Sequence, residues 1–321
     1  MKLYWLCDFV IASNAPLPEL VQAEQNQKAR FTFHLHSARQ PEEIEAVWFN
    51  EWRYPGEEPW LYFAHTPEGH LFRFPELADF QVAEDGKSIN CYPAPEIPAN
   101  TVNHIFLNQV IPIILSGKAE RLALHASAVV VDGLGIAFLG MTGKGKSTLA
   151  GSFCSQGSPL LTDDFLIVEE SENSLVGLPS YPSLRLWEDV LPAVCEAGSS
   201  LSQVAHYTEK KRLSVGNSRM PFSAQPVPLK HLYVLTGPGP ENDENAITIE
   251  PLSPRDALIE VTKYAFHLDL NDAEQRRSEF IKIGRVVELT KCFRLSYPQD
   301  LNLLPEVRQA IWGNVKETAS F

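Results

Sequence analysis

Short runs of alternating apolar and polar residues dominate the first hundred positions. RFTFHLH (30–36), EAVWFN (45–50), PWLYFAH (59–65) and HLFRF (70–74) are rich in aromatic and β-branched residues and predict strands. FQVAEDGKSINCY (80–92) sets Asp85-Gly86 between two alternating runs, which predicts a hairpin. PAPEIPAN (93–100) then holds three prolines in eight residues and reads as a linker. The pattern therefore predicts a β-rich N-terminal domain over 1–98 and a second domain over 99–321.

The second domain mixes periods. Asn100 or Thr101 can cap a helix through VNHIFLNQVIPIILSG, with a kink expected at Pro112. Two strands follow, RLALHASAVVVD and LGIAFLG, joined by Asp132-Gly133. The second strand runs into GMTGKGKST (140–148), and a helix over KSTLAGSFCSQG should end at Gly157. PLLTDDFLIVEE predicts a strand carrying Asp163-Asp164, and KHLYVLTG (230–237) a buried strand. Ser253-Pro254 opens the helix RDALIEVTKYAFHL, with proline at its first position. DAEQRRSEFIKIGRVVEL and LPEVRQAIWGNVK read as amphipathic helices, with the strand CFRLSYP between them. No repeat or low-complexity tract interrupts this α/β order.

Composition narrows the setting. The 321 residues are 44% hydrophobic and 21% charged, ordinary for a globular chain rather than a disordered one. A net charge of −13 works against nucleic acid and anionic membranes as partners. The cysteines, Cys7, Cys91, Cys154, Cys195 and Cys292, are scattered and form no CxxC pair, which predicts neither a disulfide framework nor a zinc site. A reducing, cytoplasmic setting follows. The opening MKLYWLCDFVIAS carries Asp8 and reads as a strand rather than a signal peptide. IFLNQVIPIILSG is too short and too polar to span a bilayer.

Against that acidic background, one stretch is built for anions. Gly140, Gly145, Lys146 and Ser147 fit the spacing G-x-x-x-x-G-K-[ST]. Glycines let successive N–H groups turn inward as an anion nest, and the following helix adds the positive end of its dipole. Lys146 can neutralise outer phosphates, and the Ser147 hydroxyl can ligate Mg²⁺. Thr142, Gly143, Lys144 and Thr148 complete the candidate nucleotide-contact set. A glycine-rich turn that merely joins strand to helix is the bland alternative.

LLTDDF places two carboxylates at the end of an apolar strand, where a Mg²⁺ ligand sits in phosphate-loop proteins. Asp164 follows Lys146 by only 18 residues, so it belongs to the next strand after the loop's helix. Side chains of neighbours on a strand point to opposite faces, so one of the pair should face the nucleotide. One carboxylate can hold metal and the other can accept a proton from an incoming hydroxyl. His125 can pair with a carboxylate and tune it. His34/His36 and His65/His70 lack acidic or cysteine partners at ligand spacing and read as strand-face residues.

Together LHASAVVVDGLGIAFLG, GMTGKGKST and LLTDDF resemble the catalytic domain of the HPr kinase/phosphorylase family, without a gap from His125 to Asp164. The resemblance implies an α/β phosphate-loop kinase core of the HPr kinase and phosphoenolpyruvate carboxykinase type, here behind a small β-rich domain. It implies ATP and Mg²⁺, with Asp164 as the base for a serine hydroxyl, His125 as its support and Asp163 as a partner. It also implies Lys146 on the transferring phosphate and a metal set of Ser147, Asp164 and Glu188. Arg185 and the basic run EKKRLSV (209–215), with Lys211 and Arg212, offer phosphate contacts, Arg212 being the one taken as catalytic.

Thr148 stands where true HPr kinases usually carry Glu, and LRLWED replaces their EIRG-type segment. YPSLRLW, PVPLKHLYVL and SYPQDLNLLPEVRQAI look more like the stand-alone branch that phosphorylates a serine of ribosomal precursor peptides, lasso-type precursors among them. The expected partner is thus a precursor peptide or small protein, and a homo-oligomer is compatible. The alternatives are an HPr-type kinase/phosphorylase and a small-molecule kinase.

Overall fold

The computed structural model describes residues 1–37, 44–53, 56–117, 121–195, 198–237, 246–269 and 271–319. They form two compact units. The first comprises Met1–Glu120, Val204–Thr208 and His267–Arg276; the second comprises Arg121–Gln203, Glu209–Phe266 and Arg277–Phe321.

The first unit is one nine-stranded sheet. Its strands are β1 (Lys2–Leu6), β2 (Phe9–Ser13), β3 (Val21–Gln22), β4 (Phe31–Leu35), β5 (Val47–Trp52), β6 (Leu61–Thr66), β7 (Gly69–Phe74), β8 (Ala78–Ala83) and β9 (Ser88–Pro93). They lie in the order β3-β1-β2-β4-β9-β8-β7-β6-β5. Only β2–β4 and β4–β9 pair in parallel. Alternation explains the two faces: in β9 Ile89 and Cys91 are fully buried, while Ser88, Asn90 and Tyr92 between them are half-exposed. The turn from β8 to β9 uses Gly86 at φ 71°, which donates its N–H to Ala83 O at 2.8 Å.

A helix over α1 (Ala99–Ile105), a π turn (Phe106–Val110) and α2 (Ile111–Gly117) covers that unit's apolar side chains. Phe106 stacks on Phe33 with ring centroids 3.9 Å apart, and Asn103 donates to Pro16 O. Burial of Phe106 alone is worth about 2 kcal/mol. The helix therefore belongs with the sheet, and the first unit runs past position 98, where prolines suggested a break. A π turn stands just before Pro112, whose missing N–H removes one rung of the helical ladder.

The second unit holds β10 (Leu122–Leu124), β11 (Ala126–Val131), β12 (Leu134–Leu139), β13 (Leu160–Thr162), β14 (Leu166–Ser171), β15 (Ser174–Leu178), β16 (Ser183–Leu186), β17 (Leu201–Gln203), β18 (Lys211–Ser214), β19 (Val227–Thr236), β20 (Thr248–Pro251) and β21 (Lys291–Ser296). Its helices are α3 (Lys146–Cys154), α4 (Leu191–Val194), α5 (Pro254–Lys263), α6 (Ala273–Leu289) and α7 (Leu304–Ala319). The main sheet runs β10-β14-β15-β19-β12-β11-β13, with β21 also on β19 and β20 on β21. β12, β19 and β21 are parallel neighbours. A small antiparallel sheet, β16-β18-β17, stands apart. One core cluster joins Leu149 and Phe153 of α3 to Leu184 and Leu186 of β16 and to Val307 and Ile311 of α7.

Two local departures from the sequence pattern matter for the site. The run RLALHASAVVVD is two strands, because His125 leaves β10 and donates its N–H to Tyr264 O at 2.6 Å. PLLTDDFLIVEE is likewise two strands, β13 and β14, broken at the aspartate pair. Asp132 and Gly133 both have positive φ, the tight hairpin turn expected between β11 and β12.

Candidate active site

β12 lies between β11 and β19, so the sheet delivers its C-terminal end, and the loop beginning at Gly140, to a fixed place. Gly143 (φ 83°) and Gly145 (φ 90°) turn that loop through left-handed backbone. A Cβ on Gly145 would stand 3.0 Å from the Tyr297 hydroxyl. Gly145 is the N-cap of α3 and supplies no side-chain cap. The first turn of α3 thus directs its unpaired N–H groups and the positive end of its dipole at the loop.

Lys146 is buried and folds back over this loop, donating from Nζ to Gly140 O at 2.7 Å and to Met141 O at 3.4 Å. Burial lowers its pKa to about 8, against the pull of Asp164 and Asp163, and Lys210 adds to the lowering. Ser147, next on the helix, donates from Oγ to Asp163 Oδ1 at 2.8 Å. Gly140 is buried, Lys144 and Thr148 are half-buried, and Thr142 and Gly143 lie open to solvent.

Asp163 is the most heavily engaged carboxylate here. Ser127 Oγ donates to its Oδ1 at 2.6 Å and the Arg185 N–H to its Oδ2 at 2.9 Å. The Arg185 Nη1 stands 3.4 Å from the same Oδ2. Burial pushes the Asp163 pKa up, neighbouring Asp164 adds to that, and Arg185 with the two serine hydroxyls pulls it back. A buried carboxylate with this many donors is held in one orientation.

Asp164 takes a different geometry. Its φ of 73° turns the chain left-handed just past β13. Its Oδ2 pairs with Arg185 Nη1 at 2.9 Å. One guanidinium thereby reaches both neighbouring carboxylates, which an extended strand would have sent to opposite faces. Arg185 is 2% exposed, and Tyr181 both holds it through the hydroxyl and lies with its ring 5.2 Å beneath.

His125 Nδ1 stands 2.9 Å from the backbone O of Asp164. A carbonyl only accepts, so Nδ1 carries the proton and Nε2 keeps its lone pair. Burial first, then the charge of Lys146, lowers the His125 pKa to about 4, with Asp164 opposing and Lys210 assisting. The ring is neutral at pH 7. Its partner is the backbone of Asp164 rather than the carboxylate.

The structure thus brings together His125, Lys146, Ser147, Asp163 and Asp164 on the second unit, and sorts the metal candidates. The Ser147 hydroxyl meets Asp163, not Asp164. Glu188 pairs with Lys211 at 2.9 Å with its side chain 63% exposed. Among the described residues it does not join the aspartates, and no group of three or more His, Cys, Asp or Glu is placed to hold a metal. A hydroxyl and one carboxylate of hard oxygen converging beside a helix N-terminus suit Mg²⁺, which keeps its other positions for water and phosphate. Arg212 is buried and lies opposite Arg185 in the register of β16 and β18.

Sequence reasoning missed Ser127, which donates to Asp163, and underweighted Arg185, which reaches both aspartates. A buried serine inside ASAVVV and an arginine between leucines in SLRL were the available signals. Both are polar groups inserted into strand positions that should be apolar.

No family model matches the chain, and no curated protein matches it. Among solved structures it is similar to the Hpr(Ser) kinase/phosphatase from Coxiella burnetii, at 12% identity and a TM-score of 0.31. The match covers 61% of this chain and 98% of that one. At that overlap no residue role passes from one chain to the other. Among the described residues, no helix is long and apolar enough to cross a membrane.

Proposed function

We propose that the chain is a Mg-ATP-dependent kinase that transfers the terminal phosphate to a serine hydroxyl of a peptide or small protein. The observation that carries this reading is the 2.8 Å contact between Ser147 and Asp163, made beside Lys146 at the N-terminus of α3, with a second carboxylate held alongside by Arg185. Ser147 and Asp163 would hold Mg²⁺. When bound, the ion neutralises the charge of the terminal phosphates. Lys146 exchanges its loop carbonyls for phosphate oxygens, and the loop N–H groups cradle them.

Asp164 is the base. It accepts the serine proton as the hydroxyl oxygen bonds to the terminal phosphorus and the bond to the bridging oxygen breaks, leaving ADP. Neutral His125 fixes the Asp164 backbone through Nδ1. The acceptor class, a ribosomal precursor peptide of the lasso type, rests on the sequence resemblance. An extended peptide could add to β5, the terminal strand of the first unit's sheet. A cytoplasmic setting agrees with five free cysteines.

The test is mass spectrometry of candidate peptides after incubation with protein, ATP and Mg²⁺. One added phosphate on a serine is expected. Phosphorylation of HPr alone would overturn the peptide assignment. Asp164→Asn keeps the left-handed backbone that asparagine tolerates. It should bind nucleotide and lose transfer, and transfer at the native rate would remove Asp164 from the base role.

A further inference from the structure

The parallel strands β12, β19 and β21 end at one edge of their sheet. Leu139 pairs with Val234, and Leu235 with Leu295, so Gly140 emerges level with Leu235 and Leu295. Tyr297 follows β21 directly and stands past the same end of the sheet from which the loop rises. That carboxyl end of parallel strands is where α/β sheets receive ligands. Two residues on, Gln299 reaches back to the loop, with Nε2 3.5 Å from Gly143 O. The segment 297–299 therefore flanks the loop at Gly145 and again at Gly143.

Tyr297 is 6% exposed, and its ring belongs to the core cluster with Leu149, Leu295 and Leu304. Its hydroxyl comes to rest at the N-cap of α3, 3.0 Å from the position a Cβ on Gly145 would take. Among the described residues that hydroxyl makes no hydrogen bond. A buried tyrosine ordinarily finds a partner for its O–H, because an unpaired one forfeits the bond it had with water. Phenylalanine would fill the same space without that cost. Burial pushes the Tyr297 pKa up to about 12, so the group keeps its proton and is a donor at neutral pH. The helix end it adjoins presents further donors, the unpaired N–H groups of the first turn. An oxyanion held by those N–H groups is an acceptor that the tyrosine hydroxyl can share with them.

We propose that Tyr297 is a nucleotide-contact residue, its hydroxyl donating to an oxygen of an inner phosphate held by the loop. A loop of this type cradles the inner phosphates with its backbone N–H groups, while its lysine reaches the outer ones. Tyr297 adjoins the backbone at Gly145, so its contact falls on a phosphate that ATP and ADP share. This rests on the nucleotide-binding reading above, and its test needs no acceptor.

Isothermal titration of the full chain with Mg-ATP and with Mg-ADP would compare the native protein, Tyr297→Phe and Lys146→Ala, with a melting temperature recorded for each without nucleotide. Tyr297→Phe should weaken both nucleotides by about tenfold, the size of one hydrogen bond to a charged group. Its melting temperature should fall by less than about 2 °C, because the hydroxyl gives up no protein partner. Native affinity for both nucleotides in Tyr297→Phe would overturn the assignment and leave the hydroxyl as a wall against Gly145. A loss confined to Mg-ATP would overturn it too, moving the contact to the terminal phosphate. A larger fall in melting temperature beside the weaker binding would make the hydroxyl a fold contact and overturn it as well. Failure of the native protein to bind either nucleotide, with Lys146→Ala indistinguishable from it, would remove the nucleotide reading itself and this inference with it.

Discussion

Arg185→Met isolates the electrostatics of the site better than any other single change. Methionine fills the space of the buried stem but removes the guanidinium. Asp163 Oδ2 then loses Nη1 at 3.4 Å, the Asp163 carbonyl loses a donor at 3.3 Å, and Asp164 loses the guanidinium contact at 2.9 Å. Removing one side of a buried ion pair costs about 3–5 kcal/mol. The lower end applies here for two reasons. Asp163 keeps three donors, Ser127, Ser147 and the residue 185 N–H. Asp164 has a side chain 17% exposed and can recruit water. A loss of about 3 kcal/mol corresponds to roughly 6–12 °C in melting temperature for a unit of this size.

The pH dependence gives the sharper check. The Asp163 carboxyl sits above its ordinary value of 3.8 in the native fold, chiefly from burial. A folded pKa raised above the unfolded one favours the fold while the group is protonated, and that contribution is lost as pH rises through the folded value. Removing Arg185 takes away a lowering influence, so the folded value climbs further and the loss continues to higher pH. The deficit of Arg185→Met should therefore grow as pH rises, so that it is larger at pH 7.5 than at pH 4.5. Differential scanning calorimetry of both proteins at the two pH values measures it. A drop under about 2 °C at pH 7.5, or the same drop at both, would refute the picture of one guanidinium holding both carboxylates.

Binding of Mg-ATP should be accompanied by proton uptake at pH 8.5 and by none attributable to Lys146 at pH 6.5. The Lys146 pKa of about 8 must rise beside phosphate, and titration in buffers of different ionisation enthalpy reads the proton count. Gly145→Ala puts a side chain at φ 90°, 3.0 Å from the Tyr297 hydroxyl. Backbone strain of about 1–2 kcal/mol should push the loop out of its cradle conformation and appear as roughly five- to thirtyfold weaker nucleotide affinity, checked by the same titration. Ser127→Ala deletes the shortest donor to Asp163 and should cost about 1–3 kcal/mol in urea unfolding, with the unfolding slope unchanged. Transfer rate should show no step near pH 6.5 from His125, whose pKa of about 4 keeps it neutral there, and a stopped assay from pH 5.5 to 8 tests that.

What could be read in the sequence was what local chemistry decides. The Asp132-Gly133 turn, the Ser253-Pro254 helix start and the glycines around Lys146 each depend on residues within a few positions. The helix over 99–117 was also legible as a helix, but its allegiance was not. Prolines in 93–98 marked a bend, whereas Phe106 on Phe33 decides which sheet the helix packs against. The same limit applies to His125. Nothing nearby in the chain says that Tyr264 will draw its N–H away from the strand. Lys211 and Arg212 are neighbours in EKKR, and only the folded structure sends one to Glu188 and sets the other across from Arg185 in the pairing of β18 with β16.

The aspartate pair shows why the separation of roles needed a structure. On an extended strand, Asp163 and Asp164 would face opposite ways, and Arg185 could serve one of them. The left-handed turn at Asp164 brings the second carboxylate to the same guanidinium. A non-glycine residue in that conformation costs on the order of 1 kcal/mol, least for Asn and Asp. The cost is offset by contacts that exist only there, Arg185 on the carboxylate and His125 on the carbonyl. The strain therefore has a specific product. Asp163 faces inward to Ser147, enclosed and fixed, while Asp164 remains partly open beside neutral His125. Two identical neighbours thereby acquire unequal environments, one suited to holding a cation and one suited to meeting a hydroxyl.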